Sequence, residues 1–363
     1  MKLVIFGLTV SSSWGNGHAT LWRGLCRALR RQGHAVVFFE RDQPYYAMNR
    51  DLTALPGGEL VLYGAWEEVC QRAARDVADA DVAIVTSYCP DALAAGELMF
   101  ATGRALNVFY DLDTPVTLSR LDGGEGVSYI GPRGLADYDL VLSYTGGAAL
   151  DELRRRLGAR IVAPLYGHVD PEVHRPESSV ERYRSHLSYL GTYSADRQSG
   201  LQALFVEPAR RRGDLRFLIG GAQYPAHFPW CENIFFVRHL PPDEHAAFFS
   251  SSRLTLNVTR RPMADMGWCP SGRLFEAAAC GSVILSDRWD GIEQFFSPGE
   301  EILTADDAEG SLAALELGDA EMRRIGAAAR ERALADHTSE RRAKELVDTL
   351  HLARAPLAAA VGA

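Results

Sequence analysis

Short apolar runs alternate with stretches of helical spacing from the first residue of this chain. The runs lie at residues 2–8, 35–40, 60–63, 82–86, 105–110, 140–143 and 160–163. Each is continuous rather than alternating, the pattern of parallel strands covered on both faces. Between them the spacing predicts helices, among them 18–31, closed by Gly33, and 66–77. The alternation stops at 166–180, which holds turn residues and two prolines and has no usable period. It then resumes as strand 186–190, helix 195–206, strands 216–219 and 234–237, helix 243–250, strand 254–257, helix 273–280, strand 283–285 and a helical tail. The expected organisation is an α/β chain of two Rossmann-like domains, 1–165 and 181–338, with 166–180 as linker or hinge and 339–363 as a C-terminal helix whose alanine-rich ending, 358–363, frays. In such folds the ligand is expected in a crevice at the carboxyl ends of the strands.

Composition narrows the class. A chain of 363 residues exceeds one ordinary core, and 47% apolar with 23% charged residues describes a folded protein rather than a disordered one. No apolar stretch suits a signal peptide or a transmembrane segment, so a cytoplasmic protein is expected. The six cysteines form no CxxC pair, so reduced thiols and no structural zinc are expected. A net charge of −9 argues against nucleic acid as a partner, and the arginines at 154–156 and 210–212 read as solvated helix faces.

The candidate chemistry collects at strand ends. Ser271-Gly-Arg-Leu-Phe-Glu276 opens a helix with Ser271 as N-cap and Gly272 beside it, so the first-turn amides and Arg273 suit phosphate. Glu276, one turn in, can accept hydrogen bonds from two vicinal sugar hydroxyls. Gly15, Asn16 and Gly17 follow the first strand and let the backbone approach a ligand, and His18 behind them is either a general base or a loop cap. A dinucleotide fingerprint needs a third glycine where Thr20 stands, and its acid is present only as Glu40, which speaks against an NAD dehydrogenase. Asp111 and Asp113 end another strand and are expected to orient or deprotonate an acceptor rather than bind a metal. In the second half Thr192, Ser194 and Arg197 stand at a second helix start, where a diphosphate fits and where Arg197 can equally pair with a carboxylate. Gly220, His239, Leu240, Asn257 and Thr259 close neighbouring strands, as lining for a base and a sugar.

With these residues in place the chain resembles a GT-B glycosyltransferase of the spore-maturation-protein type, related to the large group headed by glycosyltransferase family 4. The likeness covers nearly the whole chain and is densest at Leu256-Asn-Val-Thr-Arg260, Ser271 to Gly281, Leu285-Ser-Asp287 and Pro298-Gly-Glu-Glu-Ile-Leu303. It implies two Rossmann-like domains facing a central cleft, a nucleoside-diphosphate sugar (UDP, GDP or TDP) as donor and no cofactor or metal. The acceptor is a small molecule, glycan or natural product. It further implies Glu276 on the ribose, Arg273 and Arg197 on the diphosphate, His239 with Leu240 on the base, the glycine loop at 15–17 on the donor, and a last helix that crosses back to the first domain. The larger group carries two glutamates eight positions apart, and here the first position holds Trp268. Asn257, Thr259 or Asp265 are the residues available in its stead. If His18 is the base, the anomeric carbon inverts; if the retaining relatives are the guide, His18 contacts the donor sugar. Two other readings remain: a nucleotide-sugar epimerase on the same fold, and a non-catalytic sugar-nucleotide-binding protein of a surface-assembly pathway.

Overall fold

The computed structural model describes residues 1–354 in full and the backbone of 355–361; the expected fraying at 358–363 lies outside the fully described residues. The chain divides into two units, Met1–Tyr166 with the chain from Ser339 on, and Gly167–Thr338. Each is built on its own parallel sheet.

The first unit holds seven strands: β1 (Lys2–Gly7), β2 (Ala35–Arg41), β3 (Glu59–Tyr63), β4 (Val82–Thr86), β5 (Leu106–Asp111), β6 (Leu140–Ser143) and β7 (Val162–Pro164). Their order across the sheet is β3-β2-β1-β4-β5-β6-β7, every pairing parallel. Val4, Phe6, Phe39, Val85 and Phe109 cover one face and the buried Leu3, Ile5, Phe38, Ile84 and Val108 the other, so both faces are dry. The order reverses between β1 and β4, which makes the loops after these strands the place where a binding crevice opens. The helix Ser339–Val361 belongs to this unit. Arg31 pairs with Glu340 at 3.1 Å, Gln32 Nε2 donates to the Glu340 carbonyl at 2.9 Å, and Arg354 reaches Asp81.

The second unit holds β8 (Ser185–Leu190), β9 (Phe217–Gly221), β10 (Ile234–Arg238), β11 (Ser252–Asn257), β12 (Val283–Ser286) and the two-residue β13 (Leu303–Thr304). They run β10-β9-β8-β11-β12-β13, again parallel, with the reversal between β8 and β11. Leu187, Tyr189, Phe205, Phe217, Leu254 and Leu285 form its core. The helix expected at 195–206 continues to Arg211 through a wide π-type turn at Gln202–Val206, where Pro208 has no N–H for the regular ladder.

The chain at 167–180 is packed on the second unit rather than free. Val169 N donates to the His337 carbonyl at 2.9 Å, Glu177 N to Ser250 Oγ at 3.0 Å and Val180 N to Ser251 Oγ at 2.8 Å. The arginine clusters are paired surface groups, Arg154 with Asp151, Arg155 with Glu152, Arg156 with Asp122 and Arg211 with Glu309. No helix among the described residues is long and apolar enough to cross a membrane.

Candidate functional site

In the first unit the loop after β1 is organised by one buried carboxylate. Register puts Glu40, near the end of β2, beside Gly7. Its oxygens accept from Thr9 Oγ1 (2.7 Å), Val10 N (2.8 Å), Ser11 N (3.0 Å) and Ser11 Oγ (2.6 Å). The acid that a dinucleotide site would use for ribose is thereby committed to the loop. Asn16 is likewise turned inward: Nδ2 donates to the Thr9 carbonyl at 3.0 Å and Oδ1 accepts from His18 N at 3.1 Å, answering the first amide of the helix His18–Arg31, whose N-cap residue is Gly17. Gly15 takes a left-handed φ of 61°, and the space above Gly17 is open for 4 Å, leaving backbone free to meet a ligand.

His18 and Asp113 come together at the ends of β1 and β5, with Nε2 3.9 Å from Oδ2. Tyr88 donates its hydroxyl to the same oxygen at 2.9 Å, and burial with the nearby Asp113 charge pushes that phenol above its ordinary range. Asp111 requires a correction: expected to face an acceptor beside Asp113, it is wholly buried. Its Oδ1 accepts from Asp113 N and Thr117 Oγ1, both at 3.1 Å, while Oδ2 is buried without a partner. Burial raises its pKa to about 6. Asp111 therefore acts on Asp113's backbone, not on a ligand.

In the second unit the ends of β8 and β11 frame Arg273, the second residue of the helix Gly272–Ala279. Its Nε donates to the Leu190 carbonyl and its Nη1 to Asn257 Oδ1 at 2.9 Å, and the guanidinium lies 5.0 Å from the Tyr189 ring centroid. A side chain on Gly191 would put its Cβ 2.9 Å from Arg273 Nη2, so glycine keeps the guanidinium's place open. Desolvation first, and the neighbouring Arg197 charge as well, lower the Arg273 pKa. Arg197 donates to the Thr192 carbonyl at 3.3 Å, and its Nε is buried without a partner. Neither arginine makes an ion pair among the described residues. Two cations thus stand near a helix N-terminus without an ion-pair contact, the Glu276 charge acting on Arg273 only at longer range, an arrangement that suits an anion.

Several expected ligand groups support this pair instead. Asn257 is fully buried; beyond Arg273, its Oδ1 accepts from Ser271 Oγ at 3.0 Å, and its Nδ2 donates to Ser286 Oγ (3.0 Å) and Thr259 Oγ1 (3.3 Å). Ser271 occupies the N-cap position but makes no side-chain cap, its hydroxyl being turned to donate to Asn257 Oδ1. Thr259 is held by Asp287, whose carboxylate accepts from both its N (3.0 Å) and its Oγ1 (3.0 Å); burial raises the Asp287 pKa to about 6. Asp265 pairs with Arg261 at 2.8 Å. Ser194 donates to Asp196 at 2.5 Å. Gly220 faces the Leu190 and Phe248 side chains and is a packing glycine. Trp268 stands with φ 44° against Gly291, its N donating to the Asp290 carbonyl at 2.7 Å.

His239, also left-handed at φ 49°, donates its N to the Gly221 carbonyl at 2.7 Å, and Leu240 behind it is buried. The Leu240 carbonyl accepts from His245 Nε2 at 3.2 Å. His245, His174 and Glu276 form a cluster whose ligand-type atoms all lie within 4.8 Å of one another, with His174 Nε2 3.8 Å from Glu276 Oε1. Burial holds both imidazoles at a pKa of about 4. Neither histidine stood out along the chain: His174 lies in the segment read as linker and His245 in an ordinary amphipathic helix, and only the fold joins them to Glu276.

Residues 197–348 match a family model described as glycosyl transferase-like. No curated protein matches the chain by sequence. Among solved structures, sucrose-phosphate synthase from Thermosynechococcus elongatus is similar at a TM-score of 0.69 and 14% identity, covering 99% of this chain and 100% of that one. An α-glucosyltransferase in complex with UDP-glucose and DNA containing an abasic site gives a TM-score of 0.69 at 13% identity, over 97% of this chain and 99% of that one. Anabaena HepE in complex with UDP-glucose gives 0.67 at 13% identity with the same coverage. At such identities the likeness shows the fold, that of GT-B glycosyltransferases, and the glycosyl transferase-like match covers less than half of the chain, within the second unit and the last helix.

Proposed function

We propose that the protein transfers a sugar from a nucleoside-diphosphate sugar to a hydroxyl-bearing small molecule, glycan or natural product, with no metal at the diphosphate. The observation that carries this reading is the pair Arg273 and Arg197, held on neutral oxygens without an ion-pair contact near the start of the helix Gly272–Ala279. Negative charge grows on the β-phosphate as the glycosidic bond breaks, and guanidinium groups already fixed by Leu190, Asn257 and Thr192 stabilise it with little reorganisation. Glu276, one turn along the same helix, takes the ribose hydroxyls. On the first unit His18 is the acceptor base, with Asp113 steadying the imidazolium that forms. UDP-glucose in two of the similar structures makes UDP the first diphosphate to try.

The test is thermal stabilisation of the wild type, Arg273→Met and Glu276→Ala by UDP, GDP, TDP, CDP and NAD. One nucleoside diphosphate should stabilise the wild type selectively. Arg273→Met should weaken it by roughly 10–100-fold, the worth of about 1.5–3 kcal/mol for a charge-assisted hydrogen bond. Stabilisation by NAD alone, or by no diphosphate, would overturn the reading.

A further inference from the structure

We propose that His174, His245 and Glu276 form a binding site for a divalent transition-metal ion of the zinc type, separate from the diphosphate-binding arginines. Two imidazoles and one carboxylate are a donor set that such ions take, with a fourth position left for water. His245 donates Nε2–H to the Leu240 carbonyl, which fixes its tautomer and leaves the Nδ1 lone pair, an atom buried without a protein partner. An outer hydrogen bond to a backbone carbonyl is how metal-binding histidines are commonly oriented. His174 is 3% exposed, and neither of its ring nitrogens has a hydrogen-bond partner in the protein. A buried imidazole with both nitrogens unanswered calls for a ligand on at least one of them.

The distances fit. Ligand atoms about 2.0–2.2 Å from a tetrahedral zinc stand about 3.4 Å apart. Here His174 Nε2 and Glu276 Oε1 are 3.8 Å apart, and the whole set lies within 4.8 Å. Small rotamer adjustments of Glu276 and of the two imidazoles would bring the set to that spacing. His245 and Glu276 are partly exposed and give the ion an entrance, while His174 is anchored through its N to the Asp170 carbonyl at 2.9 Å. A bound ion would tie the 167–180 segment to the helix that carries Arg273, through His174 and one oxygen of Glu276.

Full-length chain without an affinity tag, stripped with a chelator and dialysed, is titrated with Co(II) and followed by visible absorption. The wild type should bind one equivalent with the d–d bands of a low-coordinate site, and equimolar Zn(II) should displace it. His245→Asn and Glu276→Gln should each lower the affinity by more than the roughly 10–100-fold typical of losing an outer-sphere partner. Circular dichroism confirms that each variant is folded, and the wild-type titration needs no variant. No cobalt uptake by the wild type overturns the proposal. So does uptake unchanged in both folded variants, which would place the ion on the free thiols. Metal binding is read on the protein alone, so its failure is separable from failure of the donor experiment.

Discussion

Asp111→Asn should stabilise the protein at neutral pH and leave it almost unchanged in acid. The carboxyl is wholly buried, Oδ2 has no partner, and its pKa stands at about 6 against an ordinary 3.8. A raised carboxyl pKa means that the native state holds the proton more tightly than the unfolded chain. Between about pH 4 and pH 6 the native state therefore binds more protons, and its stability falls as pH rises through that window. Above it the full penalty remains. A shift of about two units corresponds to about 3 kcal/mol at pH 8, dropping below about 1 kcal/mol at pH 4.

Asparagine keeps the shape: Oδ1 still accepts from Asp113 N and Thr117 Oγ1, and an unpartnered Nδ2 replaces an unpartnered Oδ2. The difference between variant and wild type thus isolates the charge, because other titrating groups cancel. By calorimetry the first unit should melt about 6–12 °C higher in the variant at pH 8, at about 2–4 °C per kcal/mol for a unit of this size. At pH 4 the two proteins should melt within a few degrees. A variant no more stable at pH 8, or a gain of equal size at both pH values, would refute the account of Asp111 as a buried, charge-burdened support.

Glu40→Gln should cost about 2–4 kcal/mol of first-unit stability in urea unfolding, since an amide cannot accept from Thr9, Val10 and Ser11 together; a loss under 0.5 kcal/mol would show that the loop after β1 is held elsewhere. Asp113→Asn should lower transfer turnover by roughly 10²-fold, within the contribution of a positioned base, while the stabilisation by nucleoside diphosphate persists. Equal loss of turnover and of diphosphate binding would instead place Asp113 in the donor site.

The order of elements was legible because parallel strands buried on both faces read as continuous apolar runs, and helices between them keep their own period. What periodicity cannot express is lateral order: the reversals between β1 and β4 and between β8 and β11 are settled by packing across sheets. The two-residue β13 is too short to carry a pattern, and the segment at 167–180 lacks a period because its amides go to scattered acceptors, the His337 carbonyl, Asp170, Ser250 Oγ and Ser251 Oγ, rather than to a ladder.

The site was legible as a place more than as a set of roles. Strand ends at a reversal bring polar residues together whatever each one does, so Asn257, Thr259, Asp111 and Arg273 look alike along the chain. Their roles separate only when each donor and acceptor is matched. Asn257 has both ends of its amide answered and Thr259 is held by Asp287, so they are frame. Arg273 has its Nε and Nη1 on neutral oxygens and no carboxylate in ion-pair contact, so its charge is available to a ligand. His174 lacks even a neutral partner, and it lay in a stretch whose sequence showed only turns. An unanswered charge or lone pair, rather than a position at a strand end, is what separates a binding group from its supports: in the second unit these are the Arg273 guanidinium and the ring nitrogens of His174 and His245, and both sets lie against one helix.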